Sequence, residues 1–70
     1  MTFEKFVSAF KAAEKHLAGH VTSMKTDDEG VFVKVNNNGS TDMLSKESTQ
    51  DMEEKGWYFQ LGANTWVLDL

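Results

Sequence analysis

The chain has no cysteine and no arginine. Without cysteine, neither a disulfide nor a thiolate-held metal can staple the fold, and no thiol nucleophile exists. Without arginine, the planar fork that usually reads phosphate and guanine is missing. No apolar run approaches the ~18–20 residues needed to span a bilayer, so no membrane association is expected. The N-terminus lacks the basic-then-apolar pattern of a secretory signal. A cytoplasmic location is therefore expected, in the source cell or, for a phage-encoded chain, in its host. Low-complexity tracts are also lacking, and with 40% hydrophobic residues the composition is that of a folded chain.

What is present is unevenly placed. Residues 1–35 balance five acids against five lysines, whereas residues 36–70 set six acids against Lys46 and Lys55, which accounts for the whole net charge of -4. An acidic half repels nucleic acid and favours basic partners. Seventy residues make one domain, 1–70, near the lower limit for unassisted folding. Phe3, Phe6, Phe10, Phe32, Phe59, Trp57, Trp66 and Tyr58 must supply the core, each large apolar side chain contributing roughly 1.5–3 kcal/mol when fully buried.

Thr2 is placed to cap a helix from about Phe3 to Ala18, in which Phe3, Phe6, Val7, Phe10, Ala13 and Leu17 recur at three- and four-residue intervals. Gly19 is its expected left-handed stop. From Val21 the period becomes two. Val21–Thr26 and Val31–Val35 flank an Asp27–Gly30 turn whose glycine suits a positive φ. A four-residue loop would set Met24 and Thr22 opposite the valines; a bulged three-residue loop would set Val21 and Lys25 there. Asn36–Gly39 reads as a second turn, which predicts a short third strand over Thr41–Leu44. A short helix follows, capped by Ser48 in a box with Asp51 or by Ser45, and stopped by Gly56. Met52 is its one large apolar residue, so it should lie mostly exposed.

In the last hairpin Trp57, Phe59 and Leu61 align with Trp66, Leu68 and Leu70 only if the loop has an even number of residues. Ala63 disfavours the two-residue form, leaving four. The expectation is an α+β fold of order α-β-β-β-α-β-β: one antiparallel sheet with the N-terminal amphipathic helix packed on one face by its phenylalanine stripe.

Chemistry has little foothold. His16 and His20 have a ligand-like spacing with Glu14 nearby, but Gly19 interrupts the helix between them and no third histidine exists. Asp27-Asp28-Glu29 lacks the spaced ligands of a calcium loop. No serine sits in a nucleophile elbow, no glycine loop suits a phosphate, and Glu53 and Glu54 are adjacent rather than facing across a cleft. No catalysis, cofactor or metal is expected. Stacking of bases on Trp57, Tyr58, Phe59 and Trp66 would need a positive groove, and this half is acidic; direct nucleic-acid binding is not expected.

The expected function is binding of another protein. Glu47, Asp51, Glu53 and Glu54 form the densest acidic patch, suited to a basic surface. Tyr58 and Gln60, with Val67, alternate away from the core and extend the contact surface, with the Asn36–Gly39 turn at its margin. Size and charge suit an inhibitor that occupies a basic, nucleic-acid-handling surface, as phage anti-defence proteins do. The alternatives are an accessory subunit that self-associates as a homodimer through a sheet edge or exposed face, and a small metal- or ligand-binding domain built on His16, His20 and Glu14.

Overall fold

A computed structural model describes residues Met1–Leu70. Helix α1 spans Phe3–Leu17, strands β1 Val21–Thr26 and β2 Gly30–Val35, helix α2 Lys46–Glu54, and strands β3 Trp57–Gln60 and β4 Thr65–Asp69. Single 3-10 turns occupy Asn37–Gly39 and Leu61–Ala63. The four strands form one sheet in the order β1-β2-β4-β3, every neighbour antiparallel. Both helices cover the same face, so the fold is α+β with the N-terminal helix on the sheet as expected.

Local signals set most boundaries. Thr2 Oγ1 accepts from the Lys5 amide at 3.2 Å and opens α1, and Gly19 at φ 81° ends its run-out. Ser45, not Ser48, caps α2: its Oγ accepts from the Ser48 amide at 3.0 Å. Gly56 stops that helix at φ 103°. In the first hairpin Asp27 Oδ1 accepts from the amides of Glu29 (2.8 Å) and Gly30 (3.2 Å), closing a four-residue loop. A bulge at Thr22 then puts Val21, rather than Thr22, opposite Val35. Gly30 does not take a positive φ. Its lack of a side chain serves another purpose, because a Cβ there would collide with the Leu68 carbonyl oxygen across the β2–β4 ladder. The last hairpin has the four-residue loop, with Trp57 opposite Leu68 and Phe59 opposite Trp66. Asn64 takes the left-handed turn at φ 53°, and its Nδ2 donates to the Val35 carbonyl at 3.0 Å.

The core is built in rows across the sheet. Met24, Val33, Trp66 and Phe59 form one; Thr26, Val31, Leu68 and Trp57 form the next. Met52 of α2 and Ala9, Ala12 and Leu17 of α1 close over them. Both indoles are satisfied: Trp57 Nε1 donates to the Ala9 carbonyl and Trp66 Nε1 to the Gly39 carbonyl, each at 2.8 Å.

Three expectations are overturned. Thr41–Leu44 forms no strand and continues from the turn, so the order is α-β-β-α-β-β. The reason is competition for the edge of β2: β4 pairs along its length, while the Trp66 bond draws Gly39 onto the sheet. Secondly, the phenylalanine stripe does not enter the core along its whole length: Leu17 is buried, Phe6, Phe10 and Ala13 pack half-buried against the core, and Phe3 stays outside. The two tryptophans fill much of that volume, so over them the helix presents the small residues Ala9 and Ala12, close enough for Trp57 to reach its backbone, with Leu17 buried further along. Phe6 and Phe10 stack on each other at 5.5 Å on the flank, and Phe3 is 80% exposed. Thirdly, Leu61 and Leu70 lie beyond the paired residues and are exposed.

Candidate protein-binding surface

Helix α2 is held by Met52, which is fully buried, with Ser48 and Thr49 half-buried on either side of that face. The opposite side therefore faces solvent, and it carries Glu47, Gln50, Glu53 and Glu54 in the three- and four-residue steps of one helical stripe. Glu47, Glu53 and Glu54 have no cation within 4.0 Å.

Asp51 differs from these three. Its Oδ2 accepts from His16 Nε2 at 2.7 Å, and its Oδ1 accepts from Lys55 Nζ at 3.1 Å. The His16 side chain is only 10% exposed, so this carboxylate ties α2 to α1. The hydrogen bond from His16, and then that from Lys55, hold its carboxyl below the ordinary aspartate range, against a smaller opposing effect of desolvation. Asp51 is thus engaged inside the fold, and the stripe offered to solvent is the other three.

Tyr58 and Gln60 point to the opposite face of the sheet, which carries no helix. There Lys25, Phe32, Val67 and Tyr58 form a row, with Ser23, Lys34, Thr65 and Gln60 beside it. Tyr58 is 43% exposed. Its hydroxyl donates to Asp69 Oδ1 at 3.4 Å. Desolvation, then the Asp69 charge and hydrogen bond, then Glu29, push that hydroxyl above the usual phenol value. Val67 is not available as expected: it lies on the inner strand β4, between Phe32 and Tyr58, and is 1% exposed. The larger neighbouring rings shield it.

The acidic stripe and the Tyr58–Gln60 pair consequently lie on two sides of one sheet edge. Strand β3 is that edge, and α2 leads into it through Lys55 and Gly56. A partner touching both would have to wrap around β3. In the turn at 36–39, Asn36, Asn37 and Asn38 are exposed while Gly39 is buried.

The histidines do not come together as a site: His16 pairs with Asp51, and His20 lies past the helix end with its carbonyl accepting from the Asn36 amide at 2.9 Å. No group of three or more His, Asp or Glu side chains is arranged to hold a metal ion. No helix is long and apolar enough to cross a membrane.

Sequence reasoning missed a second surface. Phe10, Ala13, Leu17, Val21 and Met24, with Glu14 at the rim, line a groove of about 180 Å3 between α1 and β1. The signal was present in the helix: Ala9 and Ala12 offer a smaller contact face centred about 120° round from the phenylalanines and adjoining Phe6. Comparison with protein-family models, curated proteins and solved structures finds no match.

Proposed function

We propose that the protein is a non-enzymatic binding module that presents the outer stripe of α2 to a basic surface on another protein. The observation that carries this reading is the row of Glu47, Glu53 and Glu54, exposed on a helix fixed from beneath by Met52 and free of internal cations. Three like charges on a rigid element raise the local potential and speed encounter with a cationic patch. Tyr58 and Gln60, around the β3 edge, add an aromatic anchor and an amide at the margin of the contact. A nucleic-acid-handling protein has such a cationic surface, and occupying it would block its ligand, the mode of action of a phage anti-defence inhibitor acting in the host cytoplasm.

The test uses the protein as bait in an extract of the source cell or its host, beside the triple variant Glu47→Lys/Glu53→Lys/Glu54→Lys. The expected result is a nucleic-acid-handling protein retained by the wild type, released by raised salt, and lost with the triple variant. Equal retention by both baits, insensitive to salt, would remove α2 as the contact surface.

A further inference from the structure

Part of the apolar surface left uncovered by this fold lies on the flank away from α2, apart from the exposed Met1, Met43, Tyr58, Leu61 and Leu70. Val21 (48% exposed) and Met24 (56% exposed) stand on β1, and Phe3 and Phe10 stand on the neighbouring side of α1. Between them runs the groove closed by Ala13 and Leu17. All six residues of β1 are exposed, and because β1 ends the sheet its outer backbone groups have no strand beside them. Such an edge invites another strand.

We propose that the occupant is a second copy of this chain, docked β1 to β1 and antiparallel about a two-fold axis. The two four-stranded sheets then continue across the joint, and the two α1 helices lie side by side above it, closing both grooves.

Register supports the second copy. Residues opposite each other in an antiparallel pair point to the same face, so a symmetric pairing must centre on a residue facing itself. Centring on Lys25 sets like charges opposite, which is destabilising. Centring on Ser23 sets Lys25 of the bare face against Val21, which the bulge has turned to the helix face. Centring on Met24 sets Met24 against itself beneath the helices and Lys25 against Ser23, with faces matched over Ser23–Lys25 before the bulge at Thr22 is reached. The helices agree with that choice. Lys11 and Glu14 are exposed on adjoining turns of α1, and an antiparallel mate brings each near the unlike charge of the other. The opposite edge lacks this self-complementarity, because β3 is flanked by the acids of α2.

Dimensions agree as well. A stable interface takes about 800 Å2 from each partner, about one sixth of the 4646 Å2 surface of this chain. Strand β1 and helix α1 each run roughly 20 Å along the joint, matching the shorter extents of the domain, 23 and 18 Å. The inference stands apart from the α2 reading, since Glu47, Glu53 and Glu54 lie far from this flank.

Sedimentation equilibrium between about 10 μM and 1 mM, a span that covers weak to moderate association, tests it. The wild type should move from one chain mass to two as concentration rises. Met24→Lys should weaken dimerisation by more than ~10-fold while keeping the wild-type circular dichroism spectrum. Amide exchange should slow with concentration at Ser23–Thr26 and not at Trp57–Gln60. A wild type that stays monomeric throughout, as expected if only a foreign strand occupies β1, overturns the proposal. So does a Met24→Lys variant that dimerises as tightly as the wild type, or concentration-dependent protection confined to β3.

Discussion

The two edges of the sheet are finished differently. At β3 the inner face is filled by Trp57 and Phe59 under Met52, and the exposed side of the neighbouring helix α2 is acidic. At β1 both faces are open, with Val21 and Met24 half in water. The difference shows how a small chain distributes limited apolar volume. Two tryptophans fill one side so far that the helix above meets them with alanines, and Phe6 and Phe10 pack half-buried at the margin of the core. One edge is therefore suited to charge-guided contact and the other to strand addition.

The contrast can be broken most sharply within a single row. Met24, Val33, Trp66 and Phe59 lie side by side, yet Trp66 is fully buried and Met24 is mostly exposed. Trp66→Ala should cost about 3–5 kcal/mol, enough to unfold much of a chain this small. Met24→Ala at low protein concentration should cost under ~1 kcal/mol. Urea unfolding of both variants measures the two values, and similar losses would deny that packing thins along this row from β4 out to the β1 edge.

A second test addresses the link between the helices. In the folded chain the Asp51 carboxyl is held below its ordinary value by His16 and Lys55. Its contribution to stability is complete above the unfolded aspartate pKa of about 3.9. It disappears as pH falls through the lower folded value. Asp51→Asn should therefore lower the urea midpoint near neutrality and flatten its fall on acidification. An unaltered profile in Asp51→Asn would mean that the Asp51 carboxylate does not tie the helices together.

The smallest effect is expected on the bare face. Ultraviolet titration of Tyr58 should place its ionisation above the usual phenol value of about 10. Asp69→Asn should bring it part of the way back, because a neighbouring carboxylate disfavours phenolate. No change would remove Asp69 from that environment.

How much was legible follows from the range of each interaction. The Thr2 cap, the stops at Gly19 and Gly56, both hairpins and the four-residue loop at 61–64 depend on neighbours within a few residues, and they could be read directly. The missing third strand depends on β4, more than twenty residues later, taking the edge of β2. That Phe3 stays outside and that Phe6 and Phe10 reach only the margin of the core depends on indole volume contributed from the far end of the chain. At the candidate surface, alternation placed Tyr58 and Gln60 outward, and the spacing of Glu47, Glu53 and Glu54 placed them on α2. Alternation also placed Val67 on the bare face, but not the screening it receives on an inner strand. The engagement of Asp51 was hidden because it requires knowing how the two helices cross.

The bond from Trp57 to the Ala9 carbonyl joins residues 48 positions apart. At a synthesis rate of about 5–20 residues per second, α1 waits roughly 2–10 s for its anchor after leaving the peptidyl-transferase centre. During that interval the phenylalanine side and the alanine side are equally bare. A nascent chain of this protein is thus exposed to chaperones or to premature sticking over α1 until Trp57 has been made and has emerged.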